Sequence, residues 1–66
     1  MTAREIALEY IRIDVAENGI LTAEGIRHYI EGRVSYKAMR EASKIGLAQF
    51  LKAHPPVQSE NHRAAR

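Results

Sequence analysis

The chain has no cysteine. That absence excludes a disulfide framework and any thiolate metal site, two staples that commonly hold very small domains together. It also fits a reducing compartment. No apolar run approaches the ~20 residues needed to cross a bilayer. Acidic and polar residues interrupt every apolar stretch near the start, which argues against a signal peptide and for a cytoplasmic protein. No glycine-rich phosphate loop and no nucleophile–base dyad is present, so neither an enzyme nor a cofactor is expected. His28, His54 and His62 lack metal-ligand spacing and read as surface histidines, with no metal site.

Sixty-six residues allow one domain at most. A chain this short buries only about 60% of the surface that its unfolded form exposes. Without disulfide or thiolate metal, self-association is the remaining common route to stability. The formal net charge is +2, but it is unevenly placed. Residues 1–24 hold Arg4 and Arg12 against five acids, a net −3. Residues 25–53 hold six cations against Glu31 and Glu41, a net +4, and the tail adds +1 through Arg63, Arg66 and Glu60. An acidic first half and a basic second half suit a molecule that meets a polyanion on one face.

Three helices are predicted, in an all-α domain over residues 1–53. Thr2-Ala3-Arg4-Glu5 has the capping-box form. The first helix then runs to about Glu17 and stops at Gly19, a residue suited to the left-handed closing position. Thr22 is the next N-cap candidate. Ile26, Tyr29 and Ile30 at i, i+3 and i+4 predict a short amphipathic helix over 23–31. Gly32 stops it, Ser35 caps a third helix, and Met39, Ala42, Gly46 and Phe50 step along that helix's inward face to about Ala53. Tyr10 and Tyr29 are expected in the core with their hydroxyls at its edge. From His54 to Arg66 the apolar period vanishes, which predicts a disordered, flexible tail.

The first helix is apolar around too much of its circumference for one partner. Ile6, Tyr10 and Ile13 form one stripe; Leu8, Ile11 and Val15 form another. A helix packed on one side needs an arc of about 100°. A homodimer is therefore expected, with Leu8, Ile11 and Val15 at its interface; the C-terminal half of the third helix, with Leu47, Phe50 and Leu51, is the alternative seam.

The second and third helices carry a further pattern. Thr22 is followed by Ile26, Tyr29 and Ile30, and Val34-Ser35 by Tyr36-Lys37-Ala38-Met39. Over about residues 22–42 this resembles the helix-turn-helix unit of small DNA-binding regulators of phage and plasmid type. The turn is about two residues longer than the common unit, and Arg27-His28 stands where such units usually pack a small residue. The resemblance implies a third helix that reads the major groove of double-stranded DNA. At 100° per residue, Lys37, Arg40 and Lys44 project within a sector of about 60°, opposite Ala42 and Ile45. Arg33 and Ser35 stand at the front of this helix, where phosphate contacts form, and Tyr36 is placed for a phosphate or a thymine methyl. The expected function is transcriptional regulation. The rival expectation is a small helical interaction module, an inhibitor or antitoxin-like partner, acting on another protein through the apolar face of the first helix.

Overall fold

The computed structural model describes residues 1–55. Among them all regular structure is helical: α1 (Ala3–Asn18), α2 (Ala23–Ile30) and α3 (Tyr36–Ala53). The three-helix, all-α expectation holds, and each helix end lies within a residue of its predicted place. The expected tail falls, beyond Pro55, outside the described residues, and with it His62, Arg63 and Arg66.

Local chemistry accounts for the helix ends. The Thr2 hydroxyl accepts from the Glu5 N–H at 3.1 Å, and the Glu5 carboxylate accepts from the Thr2 N–H at 2.8 Å, so two otherwise orphaned donors are satisfied. Gly19 closes α1 with φ of 76°, and its N–H donates to the Val15 carbonyl at 2.8 Å; that left-handed conformation costs a residue with a Cβ about 1–2 kcal/mol. After α2, the Arg33 N–H reaches back to the His28 carbonyl around Gly32. Ser35 caps α3 by accepting from the Ala38 N–H at 3.1 Å.

α1 and α3 form the main contact and run in the same direction. The order of their meetings shows this: Leu8 borders one groove with Ala38 and Ala42, Val15 lies against Gly46, and Phe50 covers Gly19. Arg12 also donates across the pair to the Gln49 side chain at 2.6 Å. A Cβ on Gly46 would strike the Arg12 carbonyl oxygen and come within 2.9 Å of the Val15 Cβ. The two backbones therefore touch with no side chain between them. α2 returns antiparallel to α1, with Gly25 beside Asp14 and His28 beside Tyr10. The core is Ala7, Ile11, Val15, Val34, Met39 and Ala42, with Leu8 and Leu21 packed at its margin.

Asp14, 8% exposed, ties the first two helices together. Its Oδ2 accepts from the Thr22 N–H at 2.8 Å and from the Thr22 hydroxyl at 2.9 Å, while Oδ1 accepts from the Asn18 amide at 3.0 Å. Thr22 does occupy the N-cap position of α2, but its hydroxyl turns to Asp14 instead of capping. Burying a carboxylate is costly unless its oxygens are hydrogen-bonded, and here they are.

Three placements differ from expectation. Leu8, Ile11 and Val15 do not form an outer stripe: Ile11 is 0% exposed and Val15 is buried, because α3 lies along that flank of α1. The stripe left outside is Ile6, Tyr10 and Ile13. α2 exists as predicted, but Ile26, Tyr29 and Ile30 face outward, since the helix meets α1 through Gly25 and His28. Tyr10 and Tyr29 are accordingly surface residues and not core.

Two substitutions test this packing. Gly46→Ala gains about 1 kcal/mol of helix propensity, but its methyl meets a backbone carbonyl that cannot move aside, at a cost of about 1–3 kcal/mol. We expect a net loss and a melting temperature lower by several degrees in thermal circular dichroism; a higher one would mean that α1 and α3 separate more easily than described. Asp14→Ala strands the Thr22 donors and should cost about 1–3 kcal/mol. Asp14→Asn, which keeps one acceptor oxygen, should lose less than the alanine variant in the same melts.

Candidate nucleic-acid interface

The start of α3 is fixed by the Ser35 cap and by Met39 and Ala42 facing α1. With those positions turned inward, helical geometry sends Tyr36, Lys37, Arg40 and Lys44 outward. All four are exposed, and they line one shallow depression together with Glu41. The Arg40 guanidinium carbon lies 5.8 Å from the centre of the Tyr36 ring, within cation–π range. Tyr36 in turn meets Tyr29 of α2 with ring centres 5.7 Å apart. These two contacts restrict Arg40 without neutralising it. Among the described residues, no carboxylate lies within ion-pairing distance of Lys37, Arg40 or Lys44.

The other two expected site residues are engaged elsewhere. Arg33 pairs with the Glu31 carboxylate at 2.6 Å and donates from Nε to the His28 Nδ1 at 2.9 Å. It therefore braces the turn between α2 and α3. The Ser35 hydroxyl holds the Ala38 N–H as a helix cap.

Arg12 of α1 is also committed, whereas Arg4 carries no ion pair among the described residues. Arg12 pairs with Glu9 and reaches Gln49. That hydrogen bond holds the Glu9 carboxyl below its usual range and raises the Arg12 guanidinium in turn. Arg27 sits 3.8 Å from both Glu24 and Glu31. The cations of α3's outer face thus differ from Arg12, Arg27 and Arg33 in having no carboxylate partner among the described residues.

Grooves flank α3 on either side. One, against α1, is floored by Leu8, Ala38, Ala42 and Ile45 and rimmed by Arg4 and Lys37. Ile45, predicted opposite the cationic sector, borders this groove and is 52% exposed. The other is floored by Ile20, Leu21, Met39 and Leu47, with Arg40 and Lys44 at its edge. Leu47 of this floor belongs to the alternative seam read from the sequence, whereas Ile20 lies in a loop without periodicity and carries no such signal. Among the described residues, no three acidic or histidine side chains gather as a metal site, and no helix is long and apolar enough to cross a membrane. The chain matches no protein-family model, no curated protein and no solved structure.

Proposed function

We propose that this protein binds double-stranded DNA through the outer face of α3 and acts as a small transcriptional regulator. The observation that carries the reading is the set of unpaired cations, Lys37, Arg40 and Lys44, on one exposed helical face. A major groove about 12 Å wide admits an α-helix. Lys37 and Lys44, seven residues apart, are spaced to meet phosphates along it. Arg40 lies between them, held by Tyr36, and presents the planar donor fork that recognises guanine or a phosphate. Of the α1 acids, Glu9 is paired with Arg12, Glu5 is held in its cap and Asp14 is buried, while Glu41 sits among the cations of the face itself and leaves it net positive. A rival reading, an interaction module acting on another protein, is favoured by the exposed Ile6, Tyr10 and Ile13 of α1.

Salt dependence separates the two. If the three cations each neutralise one phosphate, the logarithm of affinity should fall against the logarithm of salt with a slope near −2.7 per chain, at about −0.9 per phosphate. In fluorescence anisotropy with a labelled duplex, Lys37→Ala or Lys44→Ala should weaken binding and reduce the slope by about 1. Such exposed substitutions should leave fold stability within about 0.5 kcal/mol. Arg33→Ala should change the slope little, because its guanidinium is already bound within the protein. Duplex binding that is absent, or that is unchanged in Lys37→Ala, Arg40→Ala and Lys44→Ala alike, would remove α3 as the DNA-contacting element.

A further inference from the structure

We propose that a second copy of this chain docks on the apolar face shared by α2 and α3, so that the protein is a homodimer joined there and not along α1. The face runs from Ile20 and Leu47 past Tyr36 and Tyr29 to Ile26 and Ile30. Ile30 is 72% exposed and Tyr36 54%. With about 200 Å² for a tyrosine side chain and about 120 Å² for isoleucine or leucine, the exposed fractions leave roughly 450 Å² of apolar surface in one patch. The same reckoning leaves only roughly 200 Å² for Ile6, Tyr10 and Ile13 on α1.

Area decides between the two faces. Two copies of the larger patch bring together roughly 900 Å², and with its polar rim the contact comes near the ~1,200 Å² of a standard interface. The α1 stripe falls far short. Charge points the same way. The α1 stripe is flanked by Glu5, Glu9 and Glu17, so a two-fold pairing there would set like charges against each other. On α2, Arg27 already lies between Glu24 and Glu31, so that end of the rim is balanced within each copy, while Arg40 and Lys44 border the α3 end as cations.

The size of the core names the occupant. Among the described residues only six hydrophobic side chains are buried, and two of them are alanines. A domain so thinly cored gains from a cover that is always present, and a copy of itself is the partner whose supply matches its own. Lys37 stands beyond the patch, whereas Tyr36 lies within it and Arg40 and Lys44 line its edge, so the seam leaves Lys37 free and brings the other two cations to its rim. The proposal does not depend on DNA binding.

Sedimentation equilibrium of the full chain tests it. The parent should dimerise, with a melting temperature that rises with protein concentration. Ile30→Glu places a charge in the seam and should raise the dimer dissociation constant by about tenfold or more, whereas Ile13→Glu should leave it nearly unchanged. Because the dissociated chain is thinly cored, a second experiment avoids disruption. Ile30→Cys supplies the only thiol, and a short bis-maleimide should yield covalent dimer from it and little from Ile13→Cys. A parent that is monomeric at every concentration overturns the proposal. So does a dimer that survives Ile30→Glu, or one that Ile13→Glu dissolves or Ile13→Cys alone captures.

Discussion

The contact of the α1 and α3 backbones at Gly46 governs the rest of the structure. With no side chain between them, α3 lies flat along the Leu8–Ile11–Val15 flank of α1. That orientation turns Met39 and Ala42 inward and leaves the opposite side of α3 free. The outward placement of Lys37, Arg40 and Lys44 is therefore a consequence of packing at a glycine that follows them on the same helix. An added methyl at Gly46 would tilt or displace α3, and the cationic face would move with it.

The second helix is held in another way. Its place depends less on apolar packing than on the Asp14 carboxylate, which takes both Thr22 donors, and on the closeness that Gly25 permits. Hydrogen bonds of this kind fix position at modest net gain, about 1 kcal/mol each and somewhat more to a charged acceptor. They do not require the helix to bury its apolar face. Ile26, Tyr29 and Ile30 are thereby left outside, and the surface that a tighter α2–α3 joint would close remains open. Polar positioning of α2 and apolar exposure on α2 are two results of the same arrangement.

The helix boundaries were legible in the sequence because caps are local. Thr2 with Glu5, Gly19, Gly32 and Ser35 each act on atoms within a few residues, and each does what its type predicts. The third helix's inward face was legible too, since Met39, Ala42 and Gly46 leave no competing apolar stripe of equal strength. The first helix offered two such stripes, and periodicity cannot say which one meets α3. The deciding residues are inconspicuous: Ala7 is small, Asp14 is charged, and both are buried. Asp14 reads as a solvated acid unless the donors of Thr22, eight residues on, are known to reach it. In the candidate site, the cationic face followed from helical spacing alone. The capture of Arg33 by Glu31 and His28 did not, because it depends on how the chain folds back around Gly32.

The division of charge has the same origin. A buried carboxylate, a capping box and an Arg12–Glu9 pair occupy much of the acidic first half in holding the fold. The basic half spends Arg27 and Arg33 on the carboxylates near the α2–α3 turn. The cations that remain on α3's outer face have no carboxylate partner among the described residues and contribute little to holding the chain together. Three like charges on one helical face repel one another, at a cost each pair sets at a few tenths of a kcal/mol. A domain with so small a core has little stability to give away, and under the proposed DNA binding a phosphate would relieve that repulsion.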